Sequence, residues 1–306
     1  MFRSEIKTTG LKTYICYITI ITLCSLLVVS TFLYFQGSHS YKPVIIVHGI
    51  LSEYSSMDYL ANRIKEQHPG TIVHITNDFG GLFSLEPMWH QVHRVGAEIM
   101  MMSAMHPDGI ILLGYSQGGL VARAALEAYK DHNVKTFISL SSPQAGQYGT
   151  KFLHIFYPDL ALKSAYELFY SRIGQLSSVG NYWNDPHHQK LYFNYSKFLP
   201  YINNEKQTKL QNDFKLGIAK LDKMVLIGGP DDGVISPWQS SHFGYYDKDE
   251  NITEMKNQLF YKKDLFGLKS LDEAGKLTVF VVEGVTHMEW HKNTSIIDKY
   301  IIPWLT

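Results

Sequence analysis

One short stretch constrains the fold of this chain more than any other. Four apolar residues, Ile110–Leu113, precede a G-x-S-x-G sequence at 114–118, and apolar residues at helical spacing follow as far as Tyr129. The apolar run predicts a short buried strand, and the spacing after it predicts a helix. Ser116 therefore lies on a tight, strained strand-to-helix turn, the context in which this motif forms a nucleophile elbow. Gly114 and Gly118 would let the flanking segments pass closely.

The helix after this turn adds a chemical argument. Its first N–H groups, beginning with that of Gln117, would point to the place where an oxyanion forms beside Ser116. A glycine-rich turn without any catalytic role is the alternative, and the short pattern alone does not exclude it. Residues elsewhere in the chain must therefore decide between the two interpretations.

Other apolar runs resemble that of Ile110–Leu113 and are separated by helical patterns. They predict strands at Val44–Val47, Thr71–Thr76, Val134–Leu140, Met224–Ile227 and Leu277–Val282. Helices are predicted over Ser55–His68 and Pro87–Met105, and a last one near Ser295–Tyr300. Strands that alternate with helices in this way favour an α/β fold, with a mostly parallel sheet covered by helices on both faces.

The alternation stops between residues 144 and about 220, where aromatic residues are dense and no clear strand occurs. We interpret this segment as a helical, aromatic-rich cap inserted into a single domain that spans residues 41–306. Its rings would form an apolar groove for an acyl chain, or the cap's own core and its contact with the sheet.

A serine nucleophile needs a base and a residue that orients the base. In this kind of sheet the order along the chain is Ser, then Asp or Glu, then His, each following a strand. The loop after Met224–Ile227 offers Asp231 and Asp232, between which spacing does not choose, and His287 follows the last strand. The pattern predicts two-step acyl transfer. His291 is a rival base, although it lies a turn too far along the chain.

The oxyanion needs N–H donors at about 3 Å. We expect these from Gln117 and from Ile50, which lies in the loop after the first strand. The sequence predicts no cofactor and no metal. The segment 287–291 lacks the H-E-x-x-H order, and the histidines at 187 and 188 follow a proline in a turn-like context.

Residues 1–40 differ in character from the rest. Positive residues precede the uncharged apolar run Tyr14–Phe35, so we expect a signal peptide or a signal anchor with a short linker, and with it a membrane tether if the run is not cleaved. The following domain would then enter the secretory pathway. Sequons at Asn194, Asn251 and Asn293 agree with that location. The two cysteines, Cys16 and Cys24, both lie in this run, which excludes disulfides from the domain.

The charge balance excludes one class of partner. Lys+Arg and Asp+Glu number 28 each among 306 residues, with no basic run and no nucleic-acid motif. We therefore expect no nucleic-acid partner.

Several blocks resemble the palmitoyl-protein thioesterase family: HGI at 48–50, GYSQGGLVARA at 114–124, SLSSPQAGQYG at 139–149, NYWNDPHH at 181–188 and IGGPDDGVISPWQSSHFGYYD at 227–247. The resemblance implies an α/β-hydrolase fold with a helical insertion. It places the catalytic triad on Ser116, Asp232 and His287, and the oxyanion donors on Ile50 and Gln117. It also implies hydrolysis of long-chain fatty acyl thioesters, such as palmitoyl-CoA, in the lysosome.

Two other functions remain open at this level. A lysosomal carboxylesterase or lipase would use the same triad on oxygen esters, and only the resemblance favours thioesters. A non-catalytic carrier of acyl lipids is a further alternative, but it would not need Ser116, Asp232 and His287 together.

Overall fold

The computed structural model describes residues 17–27 and 41–306. Residues 17–27 form helix α1, which exposes Cys24. The expected signal peptide or anchor, Tyr14–Phe35, extends beyond these residues on both sides, and half of it lies outside the described residues. In the described ranges, no helix combines the length and the apolar character needed to cross a bilayer.

A six-stranded sheet organises residues 41–306, and all of its strand pairs are parallel. The strands of the domain are β1 (Val44–Val47), β2 (Val73–Ile75), β3 (Ile110–Tyr115), β4 (Val134–Leu140), β5 (Lys223–Gly228), β6 (Tyr245–Tyr246), β7 (Ile252–Thr253) and β8 (Leu277–Val281). Their order in the large sheet is β2-β1-β3-β4-β5-β8, and β6 pairs antiparallel with β7 separately. The predicted parallel sheet is confirmed. The β6–β7 pair was not predicted, since two-residue strands carry no readable periodicity.

Helices lie on both faces of the large sheet. The helices of residues 41–306 are α2 (Asp58–Gln67), α3 (Met88–Met105), α4 (Gln117–Ala128), α5 (Thr150–Phe156), α6 (Ala165–Phe169), α7 (Ser178–Tyr182), α8 (Gln189–Tyr195), α9 (Leu199–Ile202), α10 (Gln211–Ala219), α11 (Leu259–Lys262), α12 (Leu268–Glu273) and α13 (Thr294–Ile296). Ile45 and Val47 of β1 pack with residues of α3 and α4, whereas Val44 and Ile46 pack with α2 and the C-terminal segment. A strand buried on both faces favours apolar residues at successive positions, which explains the uninterrupted apolar run of β1.

Two helices differ from their predicted form. The helix expected from Ser55 begins as a 3₁₀ turn, Tyr54–Met57, before α2. The helix expected near Ser295–Tyr300 is α13 followed by a π turn, Ile297–Ile301, and a 3₁₀ turn that contains Pro303. Proline lacks the N–H that would continue an α-helix.

The segment between β4 and β5 folds into helices α5–α10. Phe169, Trp183 and Phe198 are fully buried in the same cluster as the α3–α4 face of the sheet. Phe193 and Tyr195 are exposed. Most of the aromatic side chains therefore stabilise this segment and its contact with the sheet.

A buried arginine ties the segment to the helix that follows Ser116. Arg123 of α4 is fully buried and donates to the Gln144 side chain (2.8 Å), the Ile202 carbonyl (3.1 Å) and the Asn203 side chain (3.0 Å). Its ion pair with Glu127 is also buried, and burial raises the pKa of Glu127 to about 8 against the opposing charge of Arg123. One guanidinium thus satisfies acceptors from three parts of the chain.

We predict that Arg123→Leu lowers the free energy of unfolding by about 3–5 kcal/mol, because it leaves Glu127 and several buried acceptors without a hydrogen-bond donor. Urea denaturation measures this value. The exposed Arg172→Leu is the matched control, with a change within about 0.5 kcal/mol. Equal stability of the two variants would contradict the role given to Arg123.

Candidate active site

Ser116 occupies the strained turn that its sequence context predicts. Its φ is +54° and its ψ is −130°, values that a non-glycine residue rarely adopts. The flanking glycines make close approaches: a Cβ on Gly114 would lie 2.5 Å from the Cα of Gly119, and one on Gly118 would lie 2.3 Å from the carbonyl oxygen of Val47. Side chains at these two positions would push α4 away from β1 and β3 and move Ser116.

An unbroken chain of hydrogen bonds runs from Ser116 to Asp232. The Oγ of Ser116 lies 2.9 Å from Nε2 of His287, and Nδ1 of His287 lies 2.9 Å and 3.0 Å from the two carboxylate oxygens of Asp232. All three residues are buried. Asp232 and His287 follow the neighbouring strands β5 and β8, and the His287 N–H donates to the Asp232 carbonyl (2.8 Å). The parallel strands therefore bring the two loops together.

The structure places the rival residues elsewhere. Asp231 is exposed and accepts the Gly284 N–H at 2.7 Å, so it holds the loop before His287 and does not contact the imidazole. His291 is buried against the ring of Tyr115, and neither of its nitrogens has a hydrogen-bond partner among the described residues. Burial lowers the pKa of His291 to about 4.

Asp232 has more donors than His287 alone. Ser141 Oγ donates at 2.5 Å, Trp290 Nε1 at 2.7 Å, and the backbone N–H groups of Val234 and Ile235 at 3.0 and 2.7 Å. Burial by itself would raise the pKa of Asp232, but hydrogen bonds, chiefly from His287, hold it below its usual value. Sequence reasoning missed both side chains. Ser141 could have been found because it directly follows β4 at the same sheet edge, whereas Trp290 belongs to no motif.

The two expected oxyanion donors lie in the same cavity as Ser116. Ile50, in the loop after β1, and Gln117, at the start of α4, both line it. The first N–H groups of a helix have no intrahelical acceptor, so the Gln117 N–H is free for a ligand. A polar cluster that sequence reasoning also missed supports the two segments: Ser84 Oγ accepts the N–H of Leu51 (2.7 Å), and the Ser84 carbonyl accepts the side-chain N–H of Gln117 (2.8 Å).

The cavity at Ser116 is about 250 Å³ and mostly apolar. Phe152, Ile155, Phe156 and Tyr182 line it from the segment between β4 and β5. Three of these side chains are aromatic and form part of the cavity wall, and two of them, Phe152 and Tyr182, also belong to the buried core. A cavity with one polar end and apolar walls suits an ester or thioester of a fatty acid.

The remaining sequence candidates lie outside this cavity. Asn194 and Asn251 are exposed, and Asn293 is half-buried, with its side-chain oxygen accepting the N–H groups of Ser295 and Ile296. Among residues 17–27 and 41–306, no group of three or more His, Cys, Asp or Glu is arranged to hold a metal ion.

The sequence matches the family model described as palmitoyl protein thioesterase over residues 43–287. Similar proteins include a lysosomal thioesterase PPT2 homolog of Drosophila melanogaster, 54% identical over 88% of this chain and 93% of the relative, and the lysosomal thioesterase PPT2 of Homo sapiens, 46% identical over 87% and 89%. A Bacillus licheniformis lipase shares the α/β-hydrolase fold, with a TM-score of 0.50 and 14% identity over 88% of this chain and 94% of the lipase. On this sequence similarity, the chain belongs to the palmitoyl protein thioesterase family.

Proposed function

We propose that this protein is a serine hydrolase that cleaves long-chain fatty acyl thioesters through Ser116, His287 and Asp232. The observation that carries the proposal is the hydrogen-bonded chain of these three residues at the polar end of an apolar cavity. The names of the relatives support the thioester over the oxygen ester.

In the acylation step, Ser116 Oγ attacks the thioester carbonyl carbon while His287 Nε2 takes the hydroxyl proton. The carbonyl oxygen becomes an oxyanion that accepts hydrogen bonds from the N–H groups of Ile50 and Gln117. The carbon–sulfur bond then breaks, His287 returns the proton to the departing sulfur, and an acyl-Ser116 ester remains.

Water completes the cycle. His287 takes a proton from a water molecule, whose oxygen attacks the acyl carbon. The bond to Ser116 Oγ breaks and the serine regains its proton, which releases the free fatty acid. Asp232 keeps the imidazole oriented and stabilises its positive charge in both steps.

Oxygen esters and carriers remain the alternatives. A thiol with a pKa near 8.5 leaves with less help from an acid than an alcohol does, so the triad suits both kinds of ester. A carrier without catalysis would not need Ser116 within hydrogen-bond reach of His287.

We also propose that the protein acts in the lumen of the lysosome. The relatives are named lysosomal thioesterases, and glycans on exposed Asn194 and Asn251, together with Asn293, would agree with that compartment. A membrane tether through Tyr14–Phe35 is the alternative to a cleaved signal peptide.

We predict that Ser116→Ala lowers kcat/KM for palmitoyl-CoA by about 10³-fold or more, since the change removes the nucleophile. Ser55→Ala, at an exposed serine, is the matched control and should keep full activity. Palmitoyl-CoA hydrolysis is measured beside a matched palmitoyl oxygen ester. Activity that survives in Ser116→Ala would refute the mechanism, and faster cleavage of the oxygen ester would assign the protein to the esterases.

We predict that Trp290→Phe moves the acidic limb of the pH profile of kcat/KM to higher pH. The substitution removes a donor to the Asp232 carboxylate, and losing a hydrogen bond to a charged form makes that form easier to protonate. The pKa of Asp232 therefore rises, and the triad loses its ionised aspartate earlier as the pH falls.

The matched control is Trp183→Phe. Trp183 is equally buried, but its indole nitrogen has no partner in the described parts of the chain. An unchanged limb in Trp290→Phe, or the same shift in Trp183→Phe, would show that the Trp290–Asp232 bond does not tune the triad.

A further inference from the structure

A second, more polar cavity adjoins the one at Ser116. It has a volume of about 500 Å³. The loop that carries Asp232 borders both cavities, and Ile235 of that loop lines both. Helix α5 also borders both, with Lys151 in the polar cavity and Phe152 and Ile155 in the apolar one. The two cavities are therefore neighbours separated by the Asp232 loop and α5.

The polar cavity offers unpaired groups to a ligand. The side chains of Lys151, Ser236, Gln239 and Tyr246 line it, and none of them makes a hydrogen bond or ion pair to another residue in the part of the chain that the structure describes. Trp238 adds a half-buried indole. Because these polar side chains do not bond to one another, they are free to form hydrogen bonds with a ligand in the cavity.

The charge of this cavity favours a negatively charged ligand. Its lining contains one lysine and neither aspartate nor glutamate. By contrast, the cavity beside α3 combines Arg94 with Asp78 and Glu98. A lysine ammonium binds a phosphate group as a point charge, and the rings of Trp238 and Tyr246 offer flat surfaces for a base.

The geometry of the reaction decides which part of the substrate reaches this cavity. The departing sulfur receives its proton from His287, whose backbone N–H is bonded to the carbonyl of Asp232. The leaving group is thus released beside the loop that borders the polar cavity. The acyl chain, in contrast, occupies the apolar cavity.

We propose that this second cavity binds the phosphate- and base-bearing end of the thiol leaving group of an acyl-CoA. The proposal rests on the thioesterase function proposed above and adds to it a binding site for the leaving group. Lys151 contacts a phosphate, Trp238 and Tyr246 offer ring faces for the adenine, and Gln239 supplies an amide for hydrogen bonds. The pantetheine arm, long and flexible, crosses the Asp232 loop between the two cavities.

The test compares two thioesters of the same acid. Palmitoyl-CoA carries the nucleotide, whereas S-palmitoyl-N-acetylcysteamine keeps the thioester and lacks it. Lys151→Ala and Trp238→Ala should each raise KM for palmitoyl-CoA about five- to tenfold with kcat unchanged, and leave both constants for the shorter thioester unchanged. Lys163→Ala, at an exposed lysine of the same inserted segment, is the control and should change neither substrate.

Direct binding separates this proposal from the function on which it rests. Free coenzyme A should bind to the full-length Ser116→Ala protein in calorimetry, and Lys151→Ala in that background should weaken binding about five- to tenfold. If Lys151→Ala and Trp238→Ala change KM equally for the two thioesters, or for neither, the proposal is overturned. It is also overturned if, with an S-palmitoylated peptide as a third substrate, the variants raise KM for the peptide and not for palmitoyl-CoA. If the wild-type protein hydrolyses no thioester, the proposed function fails. Calorimetry then tests the cavity independently, by whether coenzyme A binds and whether Lys151→Ala weakens that binding.

Discussion

The buried carboxylate of Asp232 is the constraint on which the rest of the site depends. A charge taken out of water is costly unless donors surround it. Here the donors are the imidazole of His287, the hydroxyl of Ser141, the indole of Trp290 and two backbone N–H groups of its own loop. These groups follow β4, β5 and β8, so stabilising one charge also aligns the loops at one edge of the sheet. The same alignment places His287 at hydrogen-bonding distance from Ser116.

A second buried charge fixes the other wall of the site. Arg123 lies on the helix that begins next to Ser116, and it binds acceptors at two distant places in the segment between β4 and β5, Gln144 near its start and Ile202 and Asn203 at the end of α9. That segment supplies Phe152 and Tyr182 to the apolar cavity. The helix that presents the proposed nucleophile and the wall that would hold the acyl chain are therefore one packed unit, and α5 of that unit also borders the polar cavity.

Much of this could be predicted from the sequence because parallel sheets leave a strong pattern. The elbow, Asp232 and His287 each follow an apolar strand: β3 and β5 are buried almost throughout, and β8 is apolar although part of it is exposed. The choice between Asp231 and Asp232 needed either the family resemblance or the structure. Spacing in the sequence does not show which of two adjacent loop residues directs its side chain towards His287. Ser141, Trp290 and Ser84 stayed hidden for another reason. Each acts through contacts with residues that are distant in sequence, and a single serine or tryptophan carries no periodicity or motif.

The central claim is that Ser116 becomes acylated, and trapping that intermediate tests it most directly. The protein is mixed with palmitoyl-CoA, quenched in acid within the first turnovers, digested and analysed by mass spectrometry. The account predicts that the peptide containing Ser116 gains the mass of one palmitoyl group, and that the Ser116→Ala protein shows no such adduct. Rapid release of coenzyme A without acylation of Ser116, or with the palmitoyl group on another residue, would contradict it.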